Sequence, residues 1–313
     1  MVLIWMGIIL VGVIFFLLLA GFIFSSVVMF SHRQPIVRSP KDYGMEYEDV
    51  AFSSLDDLTI RGWLIPGSTK KNKVIIITHP FPFNRHGFIS KNQGFPPLAF
   101  KDVDLLKSAQ AINREGYTVL MVDFRNHGES DAGITGVGLN EYQDTAGAVR
   151  FIEQHPEYHN AKIGLVSFCM GADASIIAFS KAKNIMQDVK FLVAVQPVSA
   201  EVFVKSYLKA VYTPASLVLA PIVDCFMRKR GGYALSTMSP IAYAKDVRVP
   251  VLHFQAPADK WTTITDTQSI FDHFSSTEKD LVWLEGINHR FEAYNHIGAH
   301  PEKMLSFIEG HFD

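Results

Sequence analysis

The stretch GLVSFCMGAD, residues 164–173, joins a short apolar run to a run of small helix-forming residues. This pattern predicts a buried strand that ends in a tight turn and continues into a helix. Cys169 stands at the turn, with Ser167 and Gly171 two positions to either side. A nucleophile on such a turn needs small neighbours there because the backbone crowds itself. The stretch therefore indicates either a thiol nucleophile or a small residue packed at a strand end. Centring the turn on Ser167 would crowd Leu165, which favours Cys169.

Strand and helix patterns alternate along most of the chain. Apolar runs of strand length begin near residues 73, 117, 162, 190, 249 and 280, after two candidate strands at 48–54 and 58–67. Helical patterns separate most of these runs. Such alternation predicts an α/β fold in which helices cover both faces of a mostly parallel sheet of about eight strands. We assign residues 48–313 to this domain.

Residues 200–247 interrupt the alternation, because they separate two core strands by more than a usual connection. The segment is apolar, contains Pro214 and Pro221, and ends its apolar part at a basic cluster, residues 228–230. We interpret it as a lid over the carboxyl edge of the sheet, and the two prolines that interrupt its apolar run, with Asp224, argue against a second spanning helix. Its apolar residues and cations predict contact with a bilayer. The alternative is a lid that only packs on the sheet.

The first 30 residues carry no charged side chain. A membrane-spanning helix needs about 20 apolar residues, so residues 1–30 are predicted to be an uncleaved anchor. A cleaved signal is less favoured because no basic residue precedes the apolar run and no clear cleavage site follows it. Residues 31–47 are expected to be a linker. Arg33, Arg38 and Lys41 follow the span, which predicts a single-pass protein with a cytoplasmic body.

Bulk composition excludes several function classes. The formal net charge is −2 and no basic face is apparent, so we expect no nucleic-acid partner. Two cysteines exclude a disulfide framework and a cysteine zinc site. The twelve histidines show no metal-ligand spacing, so we expect no metal and no cofactor. The oligomeric state stays open.

Partners for Cys169 are expected at the carboxyl ends of other parallel strands, which share one edge of the sheet. Asp259 follows the strand that begins near residue 249, and His289 follows the last strand. A histidine can take the proton of a nucleophile, and a carboxylate can orient that histidine. These three residues are therefore the predicted catalytic set. Asp266, inside the next helical pattern, and Asp224, in the lid, are alternative acids.

An acyl-transfer site also needs donors for the oxyanion. The backbone N–H of Met170, directly after the nucleophile, is one candidate. The loop THPFPFN, residues 78–84, supplies the other. Pro80 has no N–H, which leaves Phe81. Because Cys169 begins a helix, its thiol pKa is predicted to lie below the free value of about 8.5.

From about residue 50 to residue 312 these motifs resemble the α/β-hydrolase superfamily. THPFPF resembles its HGxP oxyanion loop, with Pro80 in place of glycine, and DFRNHGESD, residues 123–131, resembles the segment after its fourth strand. Residues 126–128 are expected to shape a turn there. SFCMG departs from GxSxG at Ser167 and Cys169. The chain order nucleophile, acid, histidine is that of the superfamily.

Cysteine at the centre of this motif resembles dienelactone hydrolases, which use a Cys–His–Asp triad. It also resembles polyhydroxyalkanoate synthases, which are acyltransferases. Together with the predicted anchor, the resemblance implies a membrane-anchored enzyme that cleaves an ester, lactone or thioester of a small molecule or a lipid. An acyltransferase with the same acyl-enzyme is the first alternative. A membrane-tethered scaffold without activity is the second.

Overall fold

The computed structural model of the protein describes residues 1–94, 101–211 and 215–312. Its strands are β1 (Glu48–Ser53), β2 (Thr59–Ile65), β3 (Lys70–Thr78), β4 (Gly87–Phe88), β5 (Val103–Asp104), β6 (Tyr117–Val122), β7 (Lys162–Phe168), β8 (Val189–Val195), β9 (Val251–Gln255) and β10 (Lys279–Trp283). Its helices are α1 (Val2–Met29), α2 (Leu106–Arg114), α3 (Tyr142–Gln154), α4 (Met170–Lys181), α5 (Lys183–Met186), α6 (Ala200–Val211), α7 (Ser216–Lys229), α8 (Ile241–Ala244), α9 (Ile264–His273), α10 (Arg290–Ala299) and α11 (Glu302–Phe312).

Eight of these strands form one sheet in the order β1-β2-β6-β3-β7-β8-β9-β10. The pairs β1–β2 and β2–β6 are antiparallel, and all the other neighbouring pairs are parallel. The central strands are apolar along their length because helices cover both of their faces. This arrangement confirms the predicted eight-stranded, mostly parallel sheet.

Alternate residues of the central strands enter two separate cores, one on each face of the sheet. On β3, Ile75 and Ile77 join the core that contains residues of α2, α10, α11 and the lid. Val74 and Ile76 join the opposite core, which contains residues of α3, α4 and α9. Because alternate side chains pack on opposite faces, the sheet lies between two helical layers. The site lies at the carboxyl edge of this sheet.

The turn between β7 and α4 has the strained backbone that the sequence predicts. Cys169 has φ 48° and ψ −115°, a region that residues with a Cβ rarely occupy. Its N–H donates to the carbonyl of Val195 on β8 at 2.8 Å. A Cβ on Gly171 would lie 2.5 Å from Thr78 Oγ1, so the turn also presses against the end of β3. These contacts hold the Cys169 thiol at the edge of the sheet.

The lid consists of α6, α7 and α8 with the segments between them. Helix α7 continues through Pro221. Proline removes one hydrogen bond, here in the second turn of the helix, and the remaining turns stay helical. Pro214 lies outside the described residues. Arg228 pairs with Asp224 at 2.9 Å, so this part of the basic cluster serves the lid itself.

The apolar helix α1 has two parts. Its first twenty residues are largely exposed, and among the described residues it alone is long and apolar enough to cross a membrane. Its last turns pack on α7, where Phe22 and Phe226 meet edge to face at 5.6 Å. Met29 is fully buried. Residues 31–47, expected to be a linker, lie against the domain: Arg33 Nη1 donates to the carbonyl of Ser130 at 2.6 Å.

We predict that Gly171→Ala lowers the free energy of unfolding of the full-length chain by about 1–3 kcal/mol, because the added Cβ overpacks the contact with Thr78. Gly310→Ala in α11 is the control, since nothing lies within 4 Å of a Cβ there. It should raise stability by about 0.5–1 kcal/mol through helix propensity. Urea unfolding in detergent measures both. Equal effects of the two substitutions would contradict the tight turn.

Candidate active site

The three residues predicted to act together all lie beyond strand ends at the carboxyl edge of the sheet. Cys169 follows β7, Asp259 follows β9, and His289 follows β10 as the N-cap of α10. Cys169 and Asp259 are both buried. The sheet thus gathers the residues that the sequence places at its carboxyl ends.

Arg290, which the sequence analysis did not consider, fills the space between the nucleophile and the acid. Its Nη1 lies 3.2 Å from Cys169 Sγ. Its Nε donates to Asp259 Oδ2 at 2.9 Å, and Nη2 lies 2.7 Å from the same oxygen. The guanidinium also stacks over the ring of Phe203 in α6, with its central carbon 5.2 Å from the ring centroid. The thiol and the carboxylate are therefore linked by a guanidinium.

His289 does not make this link in the structure. Its Nδ1 accepts from the N–H of Phe291 at 3.1 Å, and its ring meets Trp261 edge to face at a centroid distance of 4.8 Å. It has no hydrogen bond to Cys169 or Asp259 among the described residues. Burial lowers the pKa of His289, although Asp259 opposes this shift. The ring is neutral at pH 7 and lies beside the Arg290 bridge.

The sequence could not separate His289 from Arg290, because both stand in the NHRF stretch after the last core strand. A one-residue step at the start of a helix turns a side chain by about 100°. Which of the two side chains faces Cys169 therefore depends on how α10 sits on the sheet. The signal that the sequence offered was Arg290 itself, a basic residue directly after the predicted histidine.

The Cys169 thiol has a raised pKa, which corrects the prediction of a low one. Burial is the largest cause, and the buried Asp173 carboxyl adds to it. The Arg290 guanidinium, the Tyr294 hydroxyl and the Met170 N–H act in the opposite direction. The helix N-terminus and one cation do not outweigh the loss of solvent. The resting thiol is therefore protonated at neutral pH.

The two alternative acids have structural partners instead. Asp266 accepts from the N–H of Ser199 at 2.9 Å and from its hydroxyl at 2.6 Å, which fixes the start of the lid. Asp224 accepts from the N–H of Leu235 at 2.7 Å inside the lid. Of the three acids, Asp259 is therefore the one that is linked to the nucleophile, because Arg290 contacts both of them.

The two expected oxyanion donors, Met170 and Phe81, both adjoin Cys169. Met170 is the first residue of α4, where an N–H has no carbonyl four residues earlier in the helix. Phe81 lines the cavity at Cys169. Beneath the Phe81 loop, His79 Nδ1 donates to the carbonyl of Pro80 at 2.8 Å and Nε2 accepts from Phe124 N–H at 3.0 Å. Burial lowers the pKa of His79 to about 4, so a neutral ring supports this loop.

The segment 126–128 shapes a turn, as the sequence analysis expected. Asn126 and Gly128 have φ values of 66° and 47°. His127 Nδ1 donates to the carbonyl of Arg125, and its Nε2 accepts from the Ser31 hydroxyl at 2.9 Å. Burial lowers the pKa of His127 to about 3. This histidine is a neutral part of the core and holds the chain that follows α1.

Two apolar cavities meet at the site. The smaller one contains Cys169 and is lined by Val28, Phe81, Val137, Val198, Ala200, Phe203 and Val204. The larger one shares Val28, Phe81, Phe203 and Val204 with it and extends between α1 and α6. The thiol therefore faces an apolar space that suits a hydrocarbon group better than a charged one.

No family model matches the chain. It is 24% identical over 256 residues to the uncharacterized protein YqkD of Bacillus subtilis, a match that covers 80% of each chain. It is 32% identical over 142 residues to the polyketide transferase ATR5 of Stachybotrys chlorohalonatus, which covers 45% of this chain and 42% of the transferase.

Among solved structures the chain is similar to the esterase Pf2001 of Pyrococcus furiosus, with a TM-score of 0.66 and 21% identity. The match covers 89% of this chain and 95% of the esterase. The strand order and this similarity show that the chain has the α/β-hydrolase fold.

We predict that the rate of Cys169 alkylation by iodoacetamide inflects above the free-thiol pKa of about 8.5, because burial outweighs the nearby cation. The double variant Arg290→Met/Asp259→Asn should move the inflection still higher, since it removes the guanidinium without leaving an unpaired buried carboxylate. His289→Ala should not move it. An inflection below pH 8.5 that rises in His289→Ala would contradict the observed pairing.

Proposed function

We propose that the protein is a membrane-anchored α/β-hydrolase-fold enzyme that forms an acyl-enzyme on Cys169 and passes the acyl group to water. The observation that carries the proposal is the strained turn that presents a thiol to an apolar cavity. Strained backbone at such a position is typical of functional residues. The proposed substrate is an ester, lactone or thioester.

In the proposed reaction, the Cys169 thiolate attacks the carbonyl carbon and a C–S bond forms. The N–H groups of Phe81 and Met170 hold the oxyanion. The bond to the leaving alcohol or thiol then breaks, and the leaving group takes up a proton. Water attacks the thioester, releases the acid and restores the thiol.

Two groups compete for the role of partner to the thiol. Arg290 has no acceptor site, so it can stabilise the thiolate and cannot take the proton. His289 can take the proton, and it stays the proposed base, with Asp259 as its orienting acid. For this its ring must leave Trp261 and Arg290 must withdraw from Sγ. The observed state then corresponds to a resting enzyme with a protonated thiol.

The relatives support acyl chemistry in general terms. One similar structure is an esterase, and one relative is a polyketide transferase. An acyl-enzyme serves both outcomes, because only the acceptor differs. An acyl group that fills the apolar cavity would exclude water from the thioester. This favours transfer to another acceptor, so an acyltransferase stays the second candidate.

The membrane assignment is part of the same proposal. The first twenty residues of α1 suffice to cross a hydrocarbon layer of about 30 Å. Arg230 Nη1 donates to the hydroxyls of Ser25 and Ser26 at 3.0 and 2.8 Å, and cleavage after α1 would remove these partners. This favours an uncleaved anchor. The basic residues after α1 favour a cytoplasmic body.

The thiol mechanism predicts that Cys169→Ala, in full-length protein in nanodiscs, loses about 10³-fold or more of the hydrolysis of p-nitrophenyl butyrate. Cys225→Ala, the other free cysteine, is the matched control and should keep wild-type turnover. Added methanol tests the acceptor, since methyl butyrate among the products indicates transfer. Full activity in Cys169→Ala would refute the thiol mechanism.

The proposed role of His289 predicts that His289→Ala slows the same reaction by about 10²-fold or more, because the variant lacks the proposed base for the thiol proton. His300→Ala, at the exposed end of α10, should be neutral. Steady-state turnover and circular dichroism of both variants provide the comparison. A wild-type rate in His289→Ala would exclude the histidine as base and leave Arg290 as the partner of the thiol.

A further inference from the structure

The anchor helix α1 forms part of the wall of the larger cavity. Phe24, Val27 and Val28, in its last turns, line this space opposite Phe203 and Tyr207 of α6. Val28 also lines the smaller cavity at Cys169. The helix whose first part is exposed and apolar therefore ends at the cavity that contains the Cys169 thiol.

This wall is fixed to the domain and is not a loose tether. The carbonyl of Met29 accepts from the N–H of Thr135 at 3.0 Å and from Asn126 Nδ2 at 3.1 Å. The guanidinium of Arg230, which bonds to α1, also lies 4.6 Å from the ring centroid of Phe22. The end of α1 therefore has one defined position relative to the cavity.

The packing of α1 on α7 determines how far the cavity lies from the hydrocarbon boundary of the bilayer. Gly21 lies against Ile222, and Ser25 and Ser26, one turn later, bond to Arg230 after the end of α7, so the two helices run in the same direction. With a rise of 1.5 Å per residue, a span of residues 1–20 places the hydrocarbon boundary near Gly21. Phe24, on the cavity wall, then lies about 5 Å beyond that boundary.

The start of α7 lies on the bilayer side of the same boundary. Leu217, five residues before Ile222, is 86% exposed, and Val218 beside it is also exposed. An exposed apolar helix start at this height is compatible with immersion in the acyl region. The cavity mouth between α1 and the lid thus adjoins the hydrocarbon.

The wall contains a buried polar side chain, that of Gln34. Gln34 lines the larger cavity and is 3% exposed. Its Oε1 accepts from the N–H of Ile89 at 2.9 Å, while its Nε2 has no hydrogen-bond partner among the described residues. A buried donor without a partner carries a cost that a ligand oxygen can remove. The cavity is therefore mostly apolar, and Gln34 Nε2 is a donor that a ligand oxygen could reach.

We infer that this cavity binds the long acyl chain of a membrane-resident ester, which enters from the bilayer along α1. The inference rests on the proposed function for the reaction at Cys169. The chain lies between α1 and α6, the ester carbonyl reaches Cys169, and Gln34 Nε2 donates to a second oxygen of the lipid. Helix α1 is thereby both the anchor and a part of the binding site.

A binding experiment tests the cavity without the reaction. The probe is a long-chain methyl ketone with a diazirine near its chain end, added to full-length Cys169→Ala protein in phosphatidylcholine nanodiscs. We expect photo-adducts on residues 24–28 and 203–208. Val27→Trp should reduce them at least fivefold, whereas Val11→Trp, on the exposed part of α1, should not. Adducts that persist in Val27→Trp, or that fall only within residues 1–20, would overturn the inference.

Turnover then separates this inference from the proposed function. Val27→Trp should lower the ratio of p-nitrophenyl palmitate hydrolysis to p-nitrophenyl butyrate hydrolysis at least threefold, whatever its effect on butyrate alone. Val27→Phe, a smaller filling, should show the same preference if the tryptophan variant misfolds. Equal loss on both esters, or no loss on either, would overturn the inference. Absence of Cys169-dependent turnover on both esters would instead refute the proposed function, and the adducts would still report on the cavity.

Discussion

A buried guanidinium stands between Cys169 and Asp259, and the surrounding residues compensate its charge from several directions. Asp259 supplies the ion pair at 2.7 Å, the face of Phe203 covers the cation, and the thiol lies 3.2 Å away. The carbonyl of Arg290 accepts from Gln196 Nε2 at 3.0 Å, which fixes the start of α10. A buried pair of this kind is costly to break from one side. It therefore determines which groups meet the thiol in the resting protein and which, such as His289, stay outside.

The second constraint is the continuity of α1 with the site. The first part of the helix is long and apolar enough to cross a bilayer, and its last turns pack on the lid and line the cavity. Arg230 connects these two parts, since it bonds to Ser25 and Ser26 and stacks on Phe22. In this account a mutation near residue 25 affects substrate binding as well as anchoring.

The sequence predicted the fold well, because a parallel sheet leaves a strong pattern: buried runs such as residues 73–78 and 162–168 separated by helices. It also placed Cys169, Asp259 and His289 at the correct edge, since strand ends can be read from such runs. It could not predict Arg290 between them, which depends on the rotation of α10. The raised thiol pKa depends on burial, which local sequence does not reveal.

The most direct test of the central claim is the intact mass of the full-length protein in nanodiscs after rapid quenching with an activated long-chain ester. The account predicts an adduct of one acyl group on the peptide that contains Cys169, which hydroxylamine removes and which Cys169→Ala does not form. Its yield should rise with pH, because the raised thiol pKa limits the thiolate at neutral pH. An acyl group on another residue, or turnover with an unmodified Cys169 under all quench conditions, would contradict the account.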